Sequence, residues 1–365
     1  MIDNIKNKHN KIYGNRAVFF ISYCHKESIM NDKVTIKTIA KMANVSHTTV
    51  SRALNDSPLV KEDTKKKIRK LAARMNYTPN LNAKALVEKK SFIIAVYFTD
   101  LADGTSPSFM SKSIHQIKEF LPSGYEIAVD SFASLRRSKQ SINLRFDGAL
   151  VVSQSDSDDE YIDQLAATGK PLVVLNRKID RDDLCNYAPD DYLGTATAVN
   201  YLLRIGHTKI ATITGRKEFA SAHLRLRAFL ETLHQHKIDV PKEWQVRGNY
   251  SITSGYQAME KILNTGNLPT CVFAANDDMA MGAIRACEDY GYKVPDEISF
   301  IGFDDNAYSK FYNPRVTTIR KPTSELAENG VKALRDLIDN RELQLPRFLN
   351  LKPSLVVRDS VKKLN

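Results

Sequence analysis

The chain has 365 residues, of which 42% are hydrophobic, and this length is enough for two or three domains with buried cores. Its four cysteines are scattered at positions 24, 185, 271 and 287 without metal-ligand spacing, so we expect no metal site, no cofactor and a reducing, cytoplasmic location. No apolar run approaches the length of a membrane-spanning helix, and we expect no membrane association.

The formal net charge of +11 is concentrated at one end of the chain. Residues 1–90 contain 19 Lys and Arg against 7 Asp and Glu, whereas the remaining residues contain 34 against 35. A basic head on a near-neutral body is typical of a protein that binds a polyanion such as DNA. A solvated basic face is the alternative that charge alone leaves open.

Residues 1–33 precede the first clear pattern, and we predict an extra N-terminal segment that is disordered or not translated. The segment contains an apolar run from Ala17 to Cys24, which follows basic residues as in a signal peptide. No small-residue cleavage site follows that run, so secretion is disfavoured. Translation from Met30 is our preferred hypothesis.

The next stretch predicts a compact unit of three helices. Thr35 can cap a first helix whose apolar residues recur at i, i+3, i+4 and i+7, namely Ile36, Ile39, Ala40 and Ala43. Asn44 tolerates the left-handed turn that follows, and Ser46 can cap a second helix from His47 to Leu54. A third helix is predicted from Glu62 to Met75. Helix, tight turn and helix is the helix-turn-helix pattern.

Three motifs in this region resemble the lactose-repressor (LacI/GalR) family of bacterial transcription regulators: TIKTIAKMANVSHTTVSRALN at 35–55, NYTPN at 76–80 and NAKAL at 82–86. The resemblance continues through nearly all of the chain after Asp32. It implies a helix-turn-helix DNA-binding domain at 34–79, a hinge helix at 80–90, and an effector-binding and dimerisation core at 91–365. A two-fold homodimer would bind double-stranded palindromic operator DNA in successive major grooves.

The resemblance also implies the DNA contacts. Three residues occupy the base-reading positions of the second helix: His47, Thr48 and Arg52. Arg52 can bind guanine through two hydrogen bonds. Four short polar residues are expected to contact the DNA backbone or to cap helices: Thr35, Ser46, Thr49 and Asn55. In the hinge, Leu86 is the expected minor-groove wedge with Asn80 and Ala83 beside it, and a plain linker with Leu86 buried is the alternative.

From Ser91 onward, short apolar runs alternate with helical stretches. Eight strands are expected, at Phe92–Phe98, Ile127–Asp130, Gly148–Ser153, Leu172–Asn176, Lys209–Thr214, Gln245–Gly248, Cys271–Ala275 and Ser299–Phe303. Helices are expected near Met110–Phe120, Tyr192–Ile205, Ala222–Lys237, Gly255–Leu263 and Met279–Tyr290. Continuous apolar strands separated by helices predict an α/β core of parallel sheets covered on both faces. The family resemblance implies an all-α head followed by a two-lobed core like a periplasmic binding protein, with lobe 1 at about 91–188 and 320–349 and lobe 2 at about 189–319 and 350–358.

Ligands of parallel α/β sheets bind at the carboxyl ends of the strands, where loops converge. Six residues there match effector-binding positions of the family: Arg225, Asn276, Asp304, Tyr250, Asn176 and Phe109. Arg225 is the strongest candidate, because a guanidinium suits vicinal hydroxyls or a carboxylate. Tyr250 occupies a position where an aromatic ring stacks on a sugar. Asn276 has an alternative role as the cap of the following helix.

The family pattern is broken in lobe 1. Between Phe132 and Phe146 the chain is shorter than the usual second crossover helix, and Ser106–Phe109 replaces the family's Asn-Pro-Phe-Phe loop. The lobe 1 side of the pocket is therefore the least defined part of the prediction. No apolar heptads follow Arg358, so we expect a homodimer without the tetramerising helix of the lactose repressor.

We therefore predict a sequence-specific DNA-binding regulator, a repressor of carbohydrate-utilisation genes that a small sugar releases by binding between the lobes. A carbon-catabolite-type regulator with a phosphoprotein or sugar-phosphate corepressor, and a purine-responsive repressor, remain open alternatives. A transport binding protein or an enzyme on the same fold is disfavoured by the basic head and by the lack of catalytic motifs.

Overall fold

The computed structural model describes residues 34–54, 56–77, 90–102, 104–139 and 141–364. The predictions for the N-terminal segment, for Asn55 and for the hinge residues Asn80, Ala83 and Leu86 lie outside the described residues. The chain divides into two compact units, 1–84 and 85–365, which we describe separately as the head and the core.

Three helices form the described part of the head: α1 (Ile36–Ala43), α2 (His47–Leu54) and α3 (Glu62–Arg74). The expected capping of α1 is confirmed, because the Thr35 side chain accepts a hydrogen bond from the Thr38 amide and Asn44 ends the helix with φ 54°. The Ser46 hydroxyl accepts a hydrogen bond from the Thr49 amide at 3.0 Å. The three helices bury one shared apolar cluster, made of Ile39, Ala40, Ala43, Val50, Ala53, Val60, Ile68 and Ala72.

Lobe 1 of the core contains a sheet in which six described strands lie in the order β11-β5-β4-β3-β1-β2, with every neighbouring pair parallel. The strands are β1 (Ile93–Phe98), β2 (Glu126–Ser131), β3 (Gly148–Val152), β4 (Leu172–Leu175), β5 (Cys185–Pro189) and β11 (Phe348–Leu351). Its helices are α4 (Pro107–Phe120), α5 (Phe132–Ser138), α6 (Asp159–Ala167) and α11 (Thr323–Ile338). Apolar clusters on both faces of the sheet cover it, as expected for parallel strands.

Lobe 2 repeats this plan with six described strands in the order β12-β10-β9-β8-β6-β7. The strands are β6 (Ile210–Thr214), β7 (Gln245–Arg247), β8 (Cys271–Ala274), β9 (Ser299–Asp304), β10 (Thr317–Arg320) and β12 (Ser354–Val356), and β12 alone runs antiparallel, to β10. Its helices are α7 (Asp191–Arg204), α8 (Ala220–Gln235), α9 (Ile252–Leu263) and α10 (Asp277–Asp289). Two clusters again cover the two faces.

In the described core, the chain passes between the two sheets after β5, after β10 and after β11. The last passage differs from the expected boundary, because β11 pairs with β5 as far as Leu351, so residues 350–351 belong to lobe 1 rather than to lobe 2. Each passage begins at the carboxyl end of a strand. The fold therefore places the ends of both sheets around one cleft.

The short stretch after Phe132 forms a helix of seven residues, α5. The Ser131 hydroxyl caps it by accepting a hydrogen bond from the Ser134 amide, and Phe132 and Leu135 are buried beneath it. The helix ends at Lys139, whose φ of 53° turns the chain away. Two buried aromatic contacts anchor the helix, since Phe132 stacks on Tyr97 and Tyr161.

Candidate functional site

The candidate DNA surface is the outer face of α2. All three predicted base-reading residues are exposed there: His47, Thr48 and Arg52. Val50 and Ala53 on the opposite face are buried, which fixes the orientation of the helix. Among the described residues, no group forms an ion pair or hydrogen bond with the Arg52 guanidinium, so its planar fork is available to a base edge.

Two of the residues expected to contact the DNA backbone, Thr35 and Ser46, cap helices in this structure. The Thr35 hydroxyl caps α1, and the Ser46 and Thr49 hydroxyls lie 2.9 Å apart at the start of α2. The positive charges of α3 divide into two groups. Lys65 is buried and binds Asp56 and Glu62, whereas Lys66 and Lys70 are exposed. Exposed lysines are the groups that neutralise phosphates without reading sequence.

The candidate effector site begins with Arg225, on α8 of lobe 2. The residue is 3% exposed, and its guanidinium lies 3.6 Å from the centre of the Phe303 ring. Its Nε donates to Asp191 Oδ1 at 2.8 Å, its Nη2 lies 2.7 Å from the same oxygen, and its Nη1 donates to the Ala275 carbonyl. Asp191 begins α7, directly after the first passage between the lobes. The cation is thus fixed by lobe 2, and the same Nη2 that contacts Asp191 also faces Asp304.

Asp304 ends β9 with φ 111°, a strained backbone conformation that functional sites often hold. The residue is 7% exposed, and Oδ1 lies 3.9 Å from Arg225 Nη2. Among the described residues no group donates a hydrogen bond to this carboxylate, and burial raises its pKa above the usual value. A buried carboxylate with open lone pairs is unfavourable unless a ligand hydroxyl satisfies it.

The side chain of Asn276 caps the following helix, which is the alternative role that the sequence left open. Oδ1 accepts from the Met279 amide at 2.9 Å and caps α10, and Nδ2 donates to the Tyr250 carbonyl at 3.0 Å. Its neighbour Asp277 is held by three donors, from Thr318, Asn306 and Ser309, and burial raises its pKa to about 7. These two residues fix the edge of the cleft, and an effector contact by Asn276 stays a prediction.

Tyr250 is buried in this structure, and its predicted stacking on a sugar stays a prediction. Its ring stacks on Phe219 with centroids 5.8 Å apart, and its hydroxyl lies 3.0 Å from Ser221 Oγ. A Cβ at Gly215 would lie 2.2 Å from the Tyr250 hydroxyl, so the ring occupies space that only a glycine leaves. Burial raises the pKa of Tyr250 to about 12. The ring belongs to the lobe 2 core, because the backbone after β7 turns inward with φ 71°.

Lobe 1 contributes Asn176 and Phe109, together with a residue that the sequence prediction missed. Asn176 follows β4 with φ 78°, and its Nδ2 donates to the Ser153 carbonyl at 2.8 Å. Its Oδ1 therefore faces away from Ser153 and accepts from Lys321 Nζ. Lys321 Nζ also lies 4.2 Å from the centre of the Phe109 ring. Lys321 follows β10 directly, so the rule that strand ends carry ligand residues could have found it.

The two lobes meet beside this site. Ser106 caps α4 of lobe 1 and donates to Asp278 of lobe 2, and Ser108 Oγ lies 3.3 Å from the same carboxylate. Lys112 Nζ donates to the carbonyls of Asp304 and Asp305 at 3.2 and 3.3 Å. Burial raises the pKa of Asp278 to about 6. The site is therefore enclosed by polar contacts that must break when the lobes separate.

Within the described ranges, no three His, Cys, Asp or Glu side chains are grouped so as to hold a metal ion. Among the same residues, no helix is both long enough and apolar enough to span a membrane.

Comparison with known proteins gives two family matches: bacterial regulatory proteins of the lacI family at residues 35–80, and a periplasmic binding protein-like domain at residues 199–361. The probable HTH-type transcriptional repressor ExuR of Bacillus subtilis (strain 168) is 44% identical over 331 residues, which cover 91% of this chain and 99% of that protein. The HTH-type transcriptional repressor PurR of Klebsiella pneumoniae is 32% identical over 335 residues, which cover 90% and 96%. Among solved structures, the lac repressor dimer bound to operator and the anti-inducer ONPF matches with a TM-score of 0.71 and 28% identity, over 90% of this chain and 98% of that chain.

Proposed function

The chain belongs to the LacI family of bacterial regulatory proteins, and from this premise we propose that it is a transcriptional repressor whose operator binding is controlled by a small sugar in the cleft of the core. The similarity extends over both the head and the core of the relatives. Those relatives carry the names of transcriptional repressors. A regulatory rather than an enzymatic role follows.

The head reads the operator through α2. Arg52 binds a guanine edge with its two parallel N–H groups, and His47 and Thr48 contact the neighbouring base pairs. Lys66 and Lys70 of α3 neutralise phosphates and supply affinity that depends on salt but not on sequence. A single helix-turn-helix reads few base pairs, so a homodimer on a palindrome supplies the specificity.

The core binds the effector between its lobes. The observation that carries this proposal is the pair formed by Asp304 and Arg225: a buried carboxylate without a donor, 3.9 Å from a guanidinium that lobe 2 holds rigid. Ring hydroxyls of a sugar can donate to Asp304 and accept from Arg225 at once, which neither residue achieves with the other at this distance. A sugar is therefore the ligand class that satisfies the pair.

Effector binding changes DNA affinity because it changes which lobe arrangement is stable. The contacts of Ser106 and Lys112 with lobe 2 join the lobes next to the ligand, so a sugar that shifts them alters the spacing of lobe 1 in the dimer. The hinge transmits that spacing to the two heads. A ligand shifts this equilibrium only by the difference in its affinity for the two arrangements.

The proposal is tested by selecting bound fragments from a random double-stranded DNA library with the full chain. We expect a palindromic consensus whose guanine positions are lost when Arg52 is replaced by Ala. Thermal unfolding with a panel of sugars, sugar phosphates and purines then identifies the ligand through the stabilisation that it causes. An unselective DNA pool, or stabilisation by purines alone, would contradict the proposed repressor or its sugar effector.

A further inference from the structure

The helix α2 ends soon after Arg52, and a Schellman motif closes its last turn. The Ser57 amide donates to the Arg52 carbonyl at 2.9 Å, and the Asp56 amide donates to the Ala53 carbonyl at 3.4 Å. Asp56 lies between these bonds in the left-handed conformation, with φ 59°. Two such bonds around a left-handed residue define the motif. The end of α2 that carries Arg52 therefore depends on the backbone conformation of Asp56.

Glycine is the usual residue at the left-handed position of this motif, because a side chain is disfavoured there. Aspartate adopts the left-handed conformation more readily than most residues, but it does so at a cost that glycine avoids. An aspartate at this position is therefore favoured where its carboxylate makes contacts that glycine cannot make.

The carboxylate of Asp56 contacts two cations of α3. Its Oδ1 lies 3.0 Å from Lys65 Nζ and accepts from Arg69 Nη2 at 2.8 Å. Lys65 also donates to the Asp56 carbonyl at 3.4 Å and to Glu62 Oε1 at 2.7 Å. Its buried ammonium thus has three oxygen atoms within 3.4 Å, which matches its three N–H groups. Both the backbone and the side chain of Asp56 are attached to α3.

This bridge differs from an isolated surface ion pair, which contributes little free energy because both side chains move in water. The side chain of Lys65 is only 7% exposed and is held by Glu62 as well, so the carboxylate meets a partner of fixed position. Arg69 is 46% exposed and adds a second contact on the solvent side. The bridge therefore fixes the position of the loop more than it stabilises the fold.

We propose that Asp56 is a positioning residue for the reading of DNA bases, because its bridge to Lys65 and Arg69 fixes the Arg52 end of α2 against α3. The inference deepens the proposed function of the head and is independent of the effector. Two parallel N–H groups distinguish guanine from other bases only when the guanidinium meets the base edge at hydrogen-bonding distance and angle. A bridge that holds the last turn of α2 restricts both quantities for Arg52.

The bridge also predicts which base pair depends on Asp56. Arg52 belongs to the turn that the Schellman motif closes. His47 and Thr48 lie at the other end of α2, next to the Ser46 hydroxyl that accepts from the Thr49 amide. Loss of the bridge should therefore weaken discrimination at the base pair read by Arg52 more than at the base pairs read from the start of the helix.

The experiment is competitive DNA binding by the full chain. The duplexes are the consensus selected from the random library and the same consensus with one base pair changed at a time. Asp56→Asn removes the charge and keeps a residue that tolerates the left-handed turn, and Asp56→Gly keeps the turn without a side chain. We expect each variant to reduce the preference for the guanine that Arg52→Ala ceases to select by about fivefold or more. Preferences at the other positions should change less than about twofold, and Asp56→Asn should cause no further loss in an Arg52→Ala background.

Asp63→Asn is the matched control, because it removes the same charge from the head. Asp63 is exposed in the first turn of α3 and forms no ion pair with any residue that the structure describes. It should leave the guanine preference unchanged. An equal loss of preference in Asp63→Asn, or an equal loss at every base position in the Asp56 variants, would overturn the proposal.

A merely structural role predicts a different result. Asp56→Asn would then unfold at a lower temperature but keep the guanine preference, and a preference kept by both Asp56 variants would overturn the proposal. Loss of head helicity in both variants, measured by circular dichroism, would also overturn it, because Asp56 would then be needed for folding. A wild-type chain that selects no consensus would contradict the proposed function and the inference together, whereas a preference that the variants keep contradicts the inference alone.

Discussion

Replacement of Asp191 by Ala should destabilise the core strongly, because it leaves Arg225 buried without its main partner. Arg225 Nε and Nη2 lie 2.8 and 2.7 Å from Asp191 Oδ1, and both side chains are at most 4% exposed. Removal of one partner of such a pair costs about 3–5 kcal/mol. Asp304 lies 3.9 Å away and offsets part of this loss, so we expect about 3 kcal/mol.

The free energy of unfolding is measured by urea titration with Trp244 fluorescence. Trp244 is the single tryptophan and is buried in lobe 2, so its signal reports the lobe that holds the pair. Asp359→Ala, which breaks the exposed pair with Arg315, is the matched control and should cost less than about 1 kcal/mol. The double variant Asp191→Ala/Arg225→Met should recover stability relative to Asp191→Ala. A loss below 1 kcal/mol for Asp191→Ala would refute the reasoning.

Three further outcomes are expected. Arg52→Ala should reduce the discrimination between guanine and other bases at one operator position by about 1–3 kcal/mol in competitive binding assays. Lys70→Ala should lower the affinity for all DNA sequences alike and reduce the slope of log affinity against log salt concentration by about 1. Gly302→Ala should lower the free energy of unfolding by about 1–3 kcal/mol, because its Cβ would lie 2.3 Å from Asp277 Oδ1. The pKa of Asp278 is about 6 in the folded chain and 3.8 when unfolded, so the free energy of unfolding falls as the pH rises between these values. Asp278→Asn does not titrate, and its stability relative to the wild type should therefore grow over that pH range by up to about 3 kcal/mol in unfolding titrations.

The head could be predicted well because its signals are local. The apolar spacing of α1, its Thr35 cap and the left-handed Asn44 lie within ten residues of one another, and the structure has all three. Short strands were missed for the opposite reason. β5 contains Asn186 and Pro189, β11 contains Asn350, and their pairing joins Asn186 to Phe348, far apart in the chain. Their stability comes from long-range partners that no local pattern records.

The residues of the candidate site also differ in how far the sequence alone could identify them. Asp304 could be placed because it follows an apolar strand, and strand ends meet at one edge of a parallel sheet. Asn276 follows a strand too, but only the structure shows that both atoms of its amide are engaged by backbone groups. The strand-end rule could have found Lys321 as well, but only the structure shows its contacts with Asn176 and Phe109, which come from other parts of the chain.

The central claim is that a ligand in the cleft controls operator binding. Its most direct test is fluorescence anisotropy of a labelled palindrome from upstream of the protein's own gene. The DNA is titrated with the full chain at fixed salt, with and without the sugar that thermal unfolding identifies. We expect the sugar to lower operator affinity at least tenfold in the wild type, and not in Arg225→Lys, which should bind the same DNA when no sugar is present. Operator binding that the bound sugar leaves unchanged, or equal release of Arg225→Lys, would contradict the claim.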